Sequence, residues 1–194
     1  MLALGIDPGT AICGYGLVKL ERSRLIPIHY GSILTDKDML PEKRLQIIYE
    51  ALTGLIKEYK PDFMSVEKLF FNRNVTTAIA VGQARGVIVL SAAMADLPVY
   101  EYTPIQIKQA ITGTGRADKK QVTYMVMKLL HLTEEPKPDD TADALAIAIT
   151  GLNFVREKDL MEKLKGLDLS KDASIRLEAI MHSLKPKVSA TAST

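Results

Sequence analysis

Two short apolar runs in this sequence each end on a carboxylate, Leu-Ala-Leu-Gly-Ile on Asp7 and Phe-Met-Ser-Val on Glu67. Both have the length and composition of strands. A carboxylate buried at a strand end is costly unless it is paired, hydrogen-bonded or bound to a cation. The chain between them sets their relation. Asp7 runs into Pro-Gly-Thr, a turn signal, and Gly14 to Leu20 and Ile26 to Leu34 read as two more strands with short connections, an antiparallel meander. Pro41 and Glu42 open a helix with Leu45, Ile48, Leu52, Leu55, Ile56 and Tyr59 at helical spacing, and Lys60-Pro61 stops it. The strand ending on Glu67 is thus reached through a helix, which predicts a right-handed crossover and a parallel pairing with the first strand. Asp7 and Glu67 then project from neighbouring carboxyl ends, where open α/β sheets place their ligands.

Downstream, Phe70 to Asn74 reads as a loop and Val75 to Ala95 as a helix rich in small residues, Gly82 and Gly86 among them. Glycine costs about 1 kcal/mol against alanine in a helix, so close helix packing is expected there. Val99 opens a fifth strand, followed by helices over Ile105–Ile111 and Lys119–Leu130. After Pro136-Lys-Pro comes a helix carrying Asp140 and Asp143. The pattern predicts an α/β fold, a five-stranded mixed sheet flanked by helices. Past Phe154 the sequence turns charged and poor in large apolar groups, so residues 1–155 are expected to form the domain. Residues 156–194 then form a charged extension, partly helical through Ile175, Ala179, Ile180 and Leu184 and partly disordered.

Asp140 and Asp143 lie three apart and share one helix face. Each acid has a plain structural role open to it: Asp7 as a turn former, Glu67 as an edge charge, Asp140 as a helix cap and Asp143 as a first-turn carboxylate. Together they fall where one pocket can collect them. Hard oxygen ligands suit Mg²⁺ or Mn²⁺, and a pair of such ions is the usual device for displacing an oxygen at a phosphodiester. Composition is compatible but decides less. Lysine and arginine number 25 against 23 acidic residues, so a nucleic-acid surface has to be a local basic patch. The single cysteine, Cys13, excludes an intrachain disulfide and reads as a small core residue. With no secretory signal visible and no apolar run long enough for a bilayer, a cytoplasmic setting is expected.

Several blocks, in order, carry a resemblance. Gly-Ile-Asp-Pro-Gly-Thr with Gly-Tyr-Gly after it, Val-Glu-Lys-Leu-Phe-Phe-Asn-Arg-Asn, Gly82-Gln-Ala-Arg-Gly, Tyr100-Glu-Tyr-Thr-Pro and Asp140-Thr-Ala-Asp-Ala-Leu-Ala-Ile-Ala together resemble the RuvC family of Holliday-junction resolvases, from residue 2 to about 154. The resemblance implies a ribonuclease H-like fold and a homodimer that resolves four-way DNA junctions by paired symmetric nicks, in recombination and repair. It implies that Asp7, Glu67, Asp140 and Asp143 are the catalytic, metal-binding acids, holding two Mg²⁺ per subunit with Mn²⁺ able to substitute. It gives Lys108 and Lys119 to the scissile phosphate and backbone, Phe70 to stacking on unpaired bases, and Arg73, on the same loop, to DNA as well. It further implies hand-over from a branch-migration helicase complex of RuvA and RuvB type. Asp139 stands directly before Asp140, so two carboxylates compete for one ligand position, and the Asp-x-x-Asp spacing favours Asp140.

Other signals are weaker. Gly14-Tyr-Gly lacks the third glycine of a dinucleotide fingerprint, Gly113-Thr-Gly-Arg-Ala-Asp-Lys-Lys is wrongly spaced for a P-loop, and His29, His131 and His182 show no ligand spacing. Gly-Ile-Asp-Pro-Gly-Thr is also similar to the first phosphate loop of actin-like kinases, but those need two lobes and this chain offers one. A non-catalytic junction-binding protein gains nothing from four acids facing phosphate. A ribonuclease H-like nuclease acting on another substrate, such as RNA–DNA hybrid, shares fold and metals and has to be separated by assay.

Overall fold

The computed structural model describes residues 1–68 and 75–165. Phe70 and Arg73 lie outside them, as does the apolar set Ile175, Ala179, Ile180 and Leu184. Five strands and five helices follow in the order β1 (Leu2–Asp7), β2 (Ile12–Glu21), β3 (Arg24–Leu34), α1 (Pro41–Tyr59), β4 (Phe63–Glu67), α2 (Val75–Ala93), β5 (Val99–Tyr102), α3 (Pro104–Thr112), α4 (Lys119–Leu130) and α5 (Asp139–Lys165). The strands form one mixed sheet in the order β3-β2-β1-β4-β5. β1, β2 and β3 make the antiparallel meander, and β4 lies parallel to β1 with Ile6 opposite Val66. β2 and β3 each begin two residues before the sequence pattern places them: Ile12 of β2 pairs with Leu34 at the open end of the hairpin, and Arg24 of β3 pairs with Glu21 beside its turn.

Side chains alternate across the sheet, and each face has its own core. On one face Leu4, Ile6, Leu17, Met64 and Val66 pack with Ile48 and Leu52 of α1 and Ala84, Ile88 and Ala92 of α2. On the other, Ala3, Val18 and Phe63 pack with α3, α4 and the α5 run Leu145 to Leu152. From Ala144 to Leu152 every residue of α5 is buried. An apolar circumference of this kind marks a helix enclosed by protein rather than one lying on a surface.

Four glycines let α5 lie directly on the sheet. A Cβ on Gly5 would stand 2.2 Å from the Ala144 carbonyl oxygen, and one on Gly14 only 2.0 Å from that of Asp140. Gly16 sits under Leu145, and Gly151 of α5 itself meets Ser65 of β4. Any side chain at Gly5 or Gly14 would lift the helix. The small-residue helix α2 behaves otherwise. Gly82 and Gly86 have nothing within 4 Å of where a Cβ would stand, so the close neighbour expected for them is not supplied among the described residues.

The first compact unit runs from Met1 to Arg156. α5 continues as helix past that point to Lys165, so the charge-rich segment beyond residue 155 begins as an extension of the helix that carries Asp140 and Asp143.

Candidate active site

Alternation decides where the strand-end acids face. Ala3 and Gly5 of β1 meet α5, so Asp7, two residues on, is on the same side. Phe63 and Ser65 of β4 also face α5, which puts Glu67 there too. Adjacent strands lie about 4.8 Å apart. The two carboxylates therefore leave neighbouring strand ends on one face of the sheet. The first turn of α5 arrives over the same spot because Gly14, paired with Asp7 across β1 and β2, is the seat for Asp140.

The electrostatics report the convergence. Burial, then the charges of Asp143, Glu67 and Asp140 in that order, push the Asp7 carboxyl up from 3.8 to about 8, with Lys119 opposing. Glu67 is raised by burial and by Asp143, against Lys108 and Lys119. Asp143 is raised by burial, although its hydrogen bond to Lys119 pulls the other way. Burial alone lowers Lys119, but the hydrogen bond and charge of Asp143, with a smaller contribution from Asp139, hold it above the usual lysine range.

Lys119 carries the main countercharge. Its Nζ stands 2.9 Å from Asp143 Oδ2 and 3.5 Å from Asp139 Oδ2. It is the first residue of α4, after the capping box formed by Asp118 and Gln121. A lysine at the positive end of a helix dipole works against the helix, so the placement of Lys119 is explained by the acids it faces. Lys108 is set by the corresponding box of Thr103 and Gln106 at the start of α3. Both lysines, with Glu67 and Asp143, line a cavity of about 180 Å³ whose remaining wall is Pro104, Ile107, Val122 and Ile147.

Of the residues singled out in the sequence, the structure thus gathers Asp7, Glu67, Asp140, Asp143, Lys108 and Lys119. It gives Asp139 to Lys119, whereas Asp140 acts on Asp7. Two contributors escaped the sequence. Gly14 gives no local sign of its role except its place opposite Asp7. The Thr141 hydroxyl, 1% exposed in the same helical turn, has no hydrogen-bond partner among the described residues. Cys13 is a core residue as expected, its thiol pushed up to about 12 by burial.

As they stand, no three histidine, cysteine, aspartate or glutamate side chains among the described residues close around one point. The donor set nevertheless fits a divalent metal in kind: carboxylates only, half-buried, mutually repelling and short of positive charge. The repulsion gives a pH signature. A carboxyl raised in the fold holds its proton where the unfolded chain has lost it, so stability falls as pH rises from about 4 to about 8. One such group contributes a slope of up to about 1.4 kcal/mol per pH unit. A divalent ion binds the ionised form and should reverse the loss. The expected result is that Mg²⁺ or Ca²⁺ raises the melting temperature more at pH 8 than at pH 6; equal shifts at the two would count against metal binding at Asp7.

The family model for RuvC, crossover junction endodeoxyribonuclease, matches residues 3–151. A crossover junction endodeoxyribonuclease RuvC of Brevibacillus brevis is 60% identical over 154 residues, covering 79% of this chain and 93% of that protein. The Thermus thermophilus RuvC structure in complex with Holliday junction substrate superposes with a TM-score of 0.78 at 35% identity, covering 81% of this chain and 96% of that one. The yeast mitochondrial Holliday junction resolvase shares the fold at 15% identity, with a TM-score of 0.55 over 76% of this chain and 77% of that one.

Proposed function

The chain belongs to the RuvC family of crossover junction endodeoxyribonucleases, and on that premise we propose that it resolves four-way DNA junctions by metal-dependent hydrolysis of one phosphodiester in each of two opposed strands. The observation that carries the reading is Asp7, a half-buried strand-end carboxyl held up to about 8 by desolvation and three neighbouring acids. Such a group is suited to meeting a cation.

Asp7, Glu67, Asp140 and Asp143 would hold the metal, and Mg²⁺ is the hard ion that an all-carboxylate set prefers. A bound pair of divalent ions supplies an activated water and charge for the departing 3′ oxygen. The protein's own groups do the rest. Lys119 neutralises Asp143 and stands at the mouth of the cavity, so it can pass to a non-bridging phosphate oxygen when cations take its carboxylate. Lys108, which lines the same cavity and whose charge acts on Glu67, offers that phosphate a second cation. The apolar wall of Ile107, Val122 and Ile147 limits water around the reacting group. Cleavage between phosphorus and the 3′ oxygen leaves a 5′-phosphate and a 3′-hydroxyl, ends that a ligase can seal. With Mg²⁺ the protein should place symmetric nicks in a mobile four-way junction and spare linear duplex. Equal cutting of an RNA–DNA hybrid would overturn the assignment.

Paired nicking needs two active sites, and α2 offers the surface for a second copy. Ile79, Gln83, Gly86, Leu90 and Met94 form one exposed stripe along it, with Ile79 60%, Leu90 53% and Met94 70% exposed. Gly86, open to solvent within one chain, would let a second α2 approach closely. Leu90→Asp with Met94→Asp is expected to give a monomer in sedimentation and to uncouple the two nicks. An unchanged dimer would place the interface elsewhere.

A further inference from the structure

Helix α4 carries more positive charge than the cleavage site uses. Its buried face is Val122, Thr123, Val126 and Leu130. Its outer face repeats every fourth residue as Lys120, Tyr124 and Lys128, all exposed, and Arg116 stands four residues before Lys120 in the exposed approach to the helix. Positions four apart advance about 40° past a full turn, so the three helical residues share one stripe. Among the described residues none of Arg116, Lys120 and Lys128 is in an ion pair. Lys128 Nζ lies 5.3 Å from the centroid of the Tyr124 ring, which holds the two side chains together as one unit.

Beside this stripe runs a shallow groove of about 420 Å³, walled by Thr112, Thr114, Lys120, Gln121, Tyr124 and Met125. Its one acid, Asp118, already accepts a hydrogen bond from the Gln121 backbone amide at 2.8 Å as the cap of α4. What remains facing outward is hydroxyl, amide and ammonium beside an aromatic ring and a thioether. That mixture suits a sugar–phosphate backbone, whose phosphates take the ammonium and hydroxyl groups while its sugars lie on apolar surface. It suits an apolar peptide poorly, for lack of a continuous greasy floor.

Position argues the same way. Lys119, at the first turn of α4, faces Asp143 in the cleavage site, and Lys120 is the next residue. A strand whose phosphate is held by Lys119 therefore reaches the start of the stripe without leaving the helix. From Lys120 to Lys128 the stripe is roughly 12 Å long at 1.5 Å per residue. That is enough to meet two or more successive phosphates of one strand.

We propose that the outer face of α4, Arg116, Lys120, Tyr124 and Lys128 with the groove beside Tyr124, is a track that carries the backbone of one junction arm away from the cleavage site. The proposal rests on the reading of the substrate as branched DNA and adds where an arm lies. The track engages phosphates and sugars, so it reads no base sequence. Its contribution grows with the length of duplex available.

The test is equilibrium binding of a fluorescent four-way junction in Ca²⁺ by the wild-type protein and by Lys120→Gln with Lys128→Gln, across a salt series. Junctions with long and with short arms are compared, and a melting curve checks that the variant is folded. Each lost phosphate contact should lower the slope of log affinity against log salt by about 1. The double variant is expected to lose about 2 in slope and roughly tenfold or more in affinity for the long-armed junction. It should bind the short-armed junction as the wild type does. Tyr124→Ala should weaken the long-armed complex without changing the slope by a full unit, since it removes no charge. An unchanged slope, or equal loss on both junctions, overturns the track. If the wild type shows no preference for junction over linear duplex, the substrate reading fails instead. The same slope loss measured on long duplex would then still support the track.

Discussion

Asp7→Asn is expected to lower the rate of junction nicking by at least about a thousandfold, the upper range for losing one group that stabilises charge in a transition state. Junction affinity in Ca²⁺ should remain, because Lys108, Lys119 and the basic surfaces are untouched. The variant should also differ in stability, in a direction that a generic loss of activity does not produce. Asparagine removes a carboxyl that burial and three neighbouring acids hold up to about 8. Without divalent ions, the wild type loses stability from about pH 4 to pH 8 as the unfolded chain sheds a proton the fold retains. The variant should show a flatter profile and a higher melting temperature near pH 8. Nicking rates within tenfold of wild type would sink the metal-site reading of Asp7.

Gly14→Ala should come close to this loss without touching an ionisable group. The new Cβ would lie 2.0 Å from the Asp140 carbonyl oxygen and 2.5 Å from its carbonyl carbon. Both are backbone atoms in the first turn of α5, so the helix end has to move and Asp140 moves with it. Misplacing a reacting constellation by about 1 Å costs on the order of a hundredfold in rate. Weakened Mn²⁺ binding by calorimetry should accompany the loss, with a native circular dichroism spectrum. Gly16→Ala is the matched control on the same strand and under the same helix. Its Cβ would meet the Leu145 side chain at 2.9 Å, which can give more readily than a carbonyl. It should cost about 1–3 kcal/mol of stability, as overpacking does, and leave cleavage near wild type. Equal loss of cleavage in both variants would mean that α5 shifts as a whole and that Gly14 has no special relation to Asp140.

The strand-end acids were legible because alternation along a strand and the direction of a crossover are properties of short stretches of sequence. Asp7 and Glu67 end apolar runs, the meander and the α1 crossover make those runs parallel neighbours, and the sheet order follows. The pair Asp140 and Asp143 was legible from its spacing. Which of Asp139 and Asp140 turns to the other acids was left open, since it depends on what each side chain meets: Asp139 meets Lys119, and Asp140 acts on Asp7. The seat at Gly14 was hidden for the same reason. A glycine in a strand signals a close approach by something, but only the tertiary fold names the helix that approaches. Gly82 and Gly86 show the converse. Their sequence asks for a close neighbour, and among the described residues none is present.

The seating of α5 on bare glycine backbone also bears on when the activity can arise. Asp7 and Glu67 leave the ribosome early, and Asp140 and Asp143 only with the last helix of the domain. Until α5 emerges, the sheet face over Gly5, Gly14 and Gly16 has no cover and the acids are half assembled. On the proposed reading of the four acids, a nascent chain therefore passes through synthesis without a complete cutting centre. The docking that finishes the core is the same event that arms the enzyme.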